Sequence, residues 1–140
     1  MSPMKTLLDF LPLLIRGFAL LLWMLVIFFF SSLPGSEYPF NPNLAYYLER
    51  KGAHVIEYAI LMFLAVRFAS SLFSRLSFKY TLLLAGTFSI LYGMSDEWHQ
   101  SFVPYRGAKA SDVAIDGLGI LFSASVLLFV WYLHQKKKIR

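Results

Sequence analysis

The chain has 140 residues, 58% of them hydrophobic, a fraction that is unchanged when its eight tyrosines are exchanged for its eight glycines in the count. Soluble domains run at about 45–50%, so a compact water-soluble domain is set aside, and four spans of about 20 residues leave no room for a large domain outside a membrane. The net charge of +5 comes with only 15% charged residues and no basic, aromatic-interleaved surface, which argues against a nucleic-acid partner; the lack of cysteine excludes disulfides, thiolate metal sites and cysteine nucleophiles.

In chain order, the first predicted span covers about residues 12–33 and includes the uncharged stretch Gly17 to Ser36, long enough to cross a bilayer. A cleaved signal peptide competes for this segment, because Lys5 and Arg16 precede it and Ser31-Ser32-Leu33-Pro34-Gly35-Ser36 follows. Against cleavage, the apolar run is longer than a signal core, ends on bulky Phe28-Phe29-Phe30 and is followed by three more candidate spans. Pro34-Gly35, Pro39 and Asn41-Pro42-Asn43 then break the chain. Asn43 is placed to cap a short interfacial helix from Leu44 to Arg50, with Tyr46 and Tyr47 at headgroup depth.

The second span, about 53–71, carries His54 and Glu57 at its entrance; the third, about 79–96, runs into Asp96-Glu97-Trp98-His99-Gln100. The fourth, about 113–133, has Asp116 near its start and ends in a basic tail, 134–140. All four have helical lengths and none has the period-2 pattern of a barrel strand. The expected fold is therefore all-α: a single domain, residues 1–140, built as a four-transmembrane-helix bundle with a short interfacial helix before the second span.

Four spans put both termini and the loop between spans two and three on one side. Nine of the thirteen cations fall there: Lys5, Arg16, Arg67, Arg75, Lys79, Lys136, Lys137, Lys138 and Arg140. The positive-inside rule makes that side cytoplasmic in a plasma-membrane protein. Of the eight acidic residues, only Asp9 is on it; Glu37, Glu49, Glu57, Asp96, Glu97, Asp112 and Asp116 lie at the outer end with Arg50, Lys51, Arg106 and Lys109. Carboxylates contribute little to orientation, so topology leaves their clustering unexplained.

The outer residues fall into stripes. At about 100° per residue, Lys51, His54, Glu57, Tyr58 and Leu61 occupy one sector of about 120° on span two. On span three, Ser89, Gly93, Asp96 and Gln100 share a face, with Tyr92 and His99 on its flank. Asp112, Asp116, Gly119 and Ser123 form a third stripe, in which small Gly119 and Ser123 permit close approach of another helix. Singly, each has a structural explanation: a His54–Glu57 pair bonding helices, Ser111 or Asp112 as a helix cap, Asp96 and Glu97 as solvated interface charges. Ionisable residues inside spans are costly and face a bundle interior or wet cavity, so three polar stripes at one depth point to a shared pocket, with 101–109 as its rim.

Lys51-Gly-Ala-His54-Val-Ile-Glu57-Tyr58, then Ser95-Asp96-Glu97-Trp98-His99-Gln100-Ser-Phe102-Val-Pro104-Tyr-Arg106, then Asp112-x-x-x-Asp116-x-x-Gly119 resemble the VanZ-like family of small membrane proteins, over about residues 51–120. The family pattern commonly has Asn where Asp116 stands and Gly where Tyr105 stands. The resemblance implies four membrane helices and, because the family is named for a teicoplanin-resistance protein, an outer-face protein that handles envelope lipid or precursor.

Several mechanisms suit these residues. In a lipid-binding or lipid-remodelling protein, Arg106, Lys51 and Lys109 engage a headgroup phosphate, while Tyr58, Gln100, Asp112 and the carboxylates orient polar groups. In an enzyme acting on a lipid-linked phosphate or sugar, His99 or His54 is a general base, and Glu57, Asp96, Glu97 or Asp116 orients it or serves as acid. A metal-dependent version takes His54, Glu57, Asp96 and His99, with Glu97 and Asp116 in reserve, as ligands for Zn, Mn, Fe or Mg. A noncatalytic transporter or proton-coupled subunit is the third alternative, though only one end of the bundle is polar. No Gly-x-Ser-x-Gly elbow or nucleotide-binding Gly-rich loop is present. The cysteine-free background makes the topology directly testable: cysteines at positions 40 and 108 are expected to react with an impermeant thiol reagent from outside, and those at 77 and 138 to be protected. The reverse labelling pattern would invert the orientation.

Overall fold

The computed structural model describes residues 3–35, 44–107 and 109–138, without the side chains of 3–9, 46, 47 and 49. Asn43 as a cap, Tyr46 and Tyr47 at headgroup depth, and Glu37, Glu49 and Asp9 as surface charges lie outside the described residues. Four α-helices make up the fold: α1 (Pro3–Ser31), α2 (Leu44–Leu72), α3 (Phe78–Gln100) and α4 (Ala110–Lys138). No strand occurs among the described residues.

Two expectations change. Residues 44–50 are not a separate interfacial helix; they are the first two turns of α2, which continues unbroken into the second span. Leu44 to Leu72 holds no proline, a lone Gly52 costs a helix interior only about 1 kcal/mol, and its 29 residues extend about 44 Å, well beyond a hydrocarbon core of about 30 Å. The helix therefore emerges from the apolar layer with Arg50 and Lys51 on its outer turns. Secondly, three helical segments are long and apolar enough to cross a membrane, Phe10–Ser31, Arg50–Leu72 and Ala110–Lys138. Helix α3 is long enough but too polar: Lys79, Thr81, Thr87, Ser89, Ser95, Asp96 and Glu97 dilute its hydropathy. It is the helix with polar residues facing inward, since Thr81, Ser89, Asp96, Glu97 and Gln100 are all buried.

The order of packing explains how those groups are covered. Helices α2 and α3 pair at the centre, α1 lies on one side of the pair and α4 on the other, and among the described residues α1 and α4 do not touch. Tyr58, Leu61, Met62, Ala65 and Val66 of α2 form the core with Leu20 and Ile27 of α1, Leu82 and Ala85 of α3, and Ile120 of α4. Elsewhere the apolar side chains face outward, as in Phe18, Leu83, Leu121 and Phe122, the inversion expected where lipid is the solvent.

Directional polar contacts tie the helices where lipid offers no hydrophobic drive. The Trp23 indole donates to the Glu57 carbonyl at 2.9 Å, and the Tyr92 hydroxyl donates to the Met24 carbonyl at 2.7 Å. Arg16 donates to the Ser71 hydroxyl and the Arg67 carbonyl near the C-terminal end of α2, where backbone acceptors favour a cation. At the far end of the bundle Phe78 stacks on Trp131, with ring centroids 5.6 Å apart.

The backbones of α2 and α4 come into close contact at Gly119, whose position the small-residue stripe anticipates. A Cβ built there would stand 2.2 Å from the Val55 carbonyl oxygen and 3.0 Å from its carbon, a contact with backbone that no rotamer change relieves. Gly119→Ala is accordingly expected to destabilise the purified protein by about 1–3 kcal/mol, the usual cost of overpacking. Gly117→Ala, with open space at its Cβ, serves as the control in thermal unfolding followed by circular dichroism.

Candidate functional site

The C-terminal ends of α1 and α3 and the N-terminal ends of α2 and α4 meet at one end of the bundle. The chain after α3 helps to close it: Gly35 N–H donates to the Pro104 carbonyl at 3.0 Å, joining the segment after α1 to the segment after α3. Tyr105 adopts φ of 59° in this turn, a left-handed conformation that glycine occupies without strain. The glycine common at this place in the family pattern thus has a backbone reason.

Below this closure lies a cavity of about 440 Å³. Ile27, Phe30 and Ser31 of α1 line it on one side, with Leu33, Pro34 and Gly35; Arg50, Ala53, His54 and Glu57 of α2 form a second wall; Asp96 and Gln100 of α3 with Arg106 form the third. Arg106 is held by two acceptors, donating from Nη1 to Gln100 Oε1 at 3.2 Å and from Nη2 to the Phe30 carbonyl at 3.1 Å. Gln100 in turn donates from Nε2 to Asp96 Oδ2 at 2.8 Å. The glutamine amide therefore stands between the guanidinium and the carboxylate, its oxygen turned to one and its nitrogen to the other.

Deeper in the bundle, His54 Nδ1 lies 3.1 Å from Asp116 Oδ1, linking α2 to α4. A carboxylate only accepts, so the imidazole donates from Nδ1. Asp116 is 1% exposed and its other oxygen, Oδ2, has no hydrogen-bond partner among the described residues. Neither do the Tyr58 hydroxyl and Asp96 Oδ1. Gly93 keeps this layer open: a Cβ there would lie 3.2 Å from the Tyr58 ring and 3.3 Å from Asp116 Oδ2.

Five of the residues singled out from the sequence thus share the cavity wall, namely His54, Glu57, Asp96, Gln100 and Arg106, with Asp116 and Tyr58 packed behind them. The others separate. Glu97 turns towards α4, where its Oε2 accepts the Lys109 backbone N–H at 2.8 Å just before the helix begins, satisfying one of the donors that a helix start leaves unpaired. His99 turns towards α1, with Nε2 at 3.1 Å from Ser32 Oγ and its ring 4.5 Å from that of Phe28. Lys51, Lys109 and Asp112 line a second recess of about 120 Å³ together with Arg50, His54, Ser111 and Ile115.

The set His54, Glu57, Asp96 and His99 does not come together in this arrangement. Among the described residues no group of three or more His, Asp and Glu side chains converges as ligands, because α3 turns His99 to α1 and Glu97 to α4 while His54 is committed to Asp116. Arg50 is the cavity residue that the motif conceals. It precedes His54 by four positions and Glu57 by seven, so it lies within about 40° of both on the helix; Lys51, at about 100° from Arg50, belongs to the neighbouring recess. Ser31 lines the cavity from the last turn of α1, and nothing in its apolar surroundings marks it.

The VanZ/LLP1 family model matches residues 17–132, which include every cavity residue. No curated protein and no solved structure matches the chain.

The His54–Asp116 contact predicts opposite outcomes for two substitutions. Asp116→Asn retains an oxygen acceptor for Nδ1 and is expected to keep the fold within about 1 kcal/mol. Asp116→Leu leaves the imidazole donor unpartnered in the bundle and is expected to cost about 1–3 kcal/mol. Thermal unfolding of both variants, compared with wild type, distinguishes a hydrogen bond from mere proximity.

Proposed function

This chain belongs to the VanZ/LLP1 family of membrane proteins, and on that premise we propose that its cavity binds the phosphate-bearing headgroup of a cell-envelope lipid or lipid-linked precursor. The orientation that goes with this reading puts the cavity at the outer face of the plasma membrane and both termini in the cytoplasm, in keeping with the distribution of Lys and Arg. One observation carries the reading: two arginines, Arg50 and Arg106, line a cavity at one end of the bundle, above its apolar core. Arginine recognises phosphate oxygens through planar, charge-assisted hydrogen bonds. Arg106 is already fixed by Gln100 and the Phe30 carbonyl, so less side-chain entropy is lost when a ligand arrives. Phe30, Ile27 and Leu33 beside it supply the apolar surface that the upper part of a lipid chain requires.

A second reading is supported by His54. Its Nδ1 is engaged by Asp116 while the residue also lines the cavity, and an imidazole oriented by a carboxylate is the arrangement of a general base. In that case Nε2 of His54 accepts the proton of an attacking water or alcohol as its oxygen bonds to phosphorus, the P–O bond to the leaving oxygen breaks, and the imidazolium returns that proton to the leaving group. Teicoplanin resistance, for which the VanZ-like family is named, is compatible with either activity, since both alter how the outer leaflet presents lipid or precursor.

Arg50→Gln separates the proposal from a structural role, because Arg50 forms no ion pair among the described residues. Removing one charged donor is expected to weaken binding of a phosphate-bearing lipid by about tenfold, corresponding to about 1.4 kcal/mol. Lys79→Gln, at the other end of the bundle, should leave binding unchanged. Equal affinities for wild type and Arg50→Gln would overturn the headgroup site. His54→Gln with binding intact and turnover of a lipid-linked phosphate lost would select the enzyme.

A further inference from the structure

The two arginines do not share the cavity with neutral groups. Glu57 and Asp96 line the same walls, yet among the described residues neither carboxylate forms an ion pair with Arg50 or Arg106. Gln100 stands between Arg106 and Asp96, accepting from the one and donating to the other. The cavity therefore presents cationic and anionic side chains with no ion pair between them among the described residues.

Asp96 is the informative member. It is only 5% exposed, and although Oδ2 accepts from Gln100, Oδ1 has no hydrogen-bond partner among the described residues. Leaving a buried acceptor unpaired costs about 1–3 kcal/mol, and more for a charged group. A ligand that brings an N–H donor or a cation to this wall recovers that cost. A simple anionic headgroup does the opposite, placing its charge beside two carboxylates.

We propose that the cavity selects a membrane lipid whose headgroup carries both a phosphate and a primary ammonium, the phosphate meeting Arg50 and Arg106 and the ammonium meeting Asp96 and Glu57. This rests on the reading of the cavity as a headgroup site and adds the class of headgroup. A primary ammonium has three N–H donors for the two carboxylates. A trimethylammonium has none and is favoured by aromatic cages, whereas Phe30 is the sole aromatic side chain lining this cavity among the described residues. A volume of about 440 Å³ lies within the roughly 300–1,000 Å³ of small-molecule sites, sufficient for a compact headgroup.

The test is binding of defined lipids to the delipidated full-length protein in detergent, measured by native mass spectrometry with phosphatidylethanolamine, phosphatidylglycerol and phosphatidylcholine of identical chains. Phosphatidylethanolamine is expected to bind at least tenfold more tightly than the other two. Asp96→Asn should remove that preference, and Glu57→Gln, less buried and so safer for folding, should reduce it in the same direction. Wild-type affinity for phosphatidylglycerol or phosphatidylcholine equal to that for phosphatidylethanolamine overturns the inference and leaves the phosphate reading standing. Failure of all three lipids to bind overturns both. Soluble phosphoethanolamine binding as tightly as the lipid would place the ligand in water and overturn the membrane-lipid half of the inference.

Discussion

A carboxylate in the interior of a membrane bundle has no water to satisfy it, and the placement of Asp116 depends on that constraint. His54 supplies a donor across the α2–α4 interface at 3.1 Å. The contact requires the two backbones to run close together, which Gly119 permits against the Val55 carbonyl. It also requires the helices to be in register, so that residues 54 and 116 lie at the same depth. Small-residue packing and a single polar contact thus reinforce one another. The seam they form fixes α2, and α2 contacts each of the other three helices.

From that fixed helix the cavity follows. Arg50, His54 and Glu57 project from one stripe of α2 towards the space between α1 and α3. Helix α3 can tolerate Thr81, Ser89, Asp96 and Gln100 only because the neighbours cover them, which is also why its hydropathy falls below that of a self-sufficient span. Buried polar residues are costly in such a setting and cluster where they serve a purpose. Here the buried ionisable ones, Asp96, Glu97 and Asp116, cluster at one end. The opposite end contains a recess lined by Leu20, Ala65, Phe68, Ala69, Leu72, Phe73, Leu84, Ala85 and Phe88, all apolar.

Much of this was legible in the sequence because helical periodicity is a strong signal when the solvent is lipid. The faces Ser89-Gly93-Asp96-Gln100 and Asp116-Gly119-Ser123 are buried as their spacing indicates. What spacing could not supply was the azimuth of each helix against its neighbours. Adjacent residues Glu97, Trp98 and His99 diverge by about 100° per step, so a motif that reads as one unit is divided among α4, the exposed surface and α1. Arg50 was legible by the same arithmetic, since it falls within about 40° of His54 and Glu57, but the motif that begins at Lys51 leaves it out. The break expected before span two was absent because turn residues end at Asn43, and from Leu44 onward nothing prevents the helix from starting early.

The asymmetry between the two ends bears on the kind of activity that the bundle can support. A pathway across the membrane needs polar groups along its length, whereas here the buried ionisable groups end at Asp96 on α3 and Asp116 on α4, and the buried polar side chains below them are isolated hydroxyls, Thr81 at the far end and then Ser89 and Ser123. Ser89 already donates within its own helix to the Ala85 carbonyl at 2.9 Å. Below these residues Met62, Ala65, Leu82 and Ala85 close the core. A ligand can enter the polar end and leave by the same end, but the packed lower half offers no continuation for an ion or proton. Binding or chemistry on a headgroup requires only a half-deep cavity, with the rest of the lipid lying along the apolar exterior. The distribution of polarity therefore favours a site that works on molecules within one leaflet over one that moves solutes between two compartments.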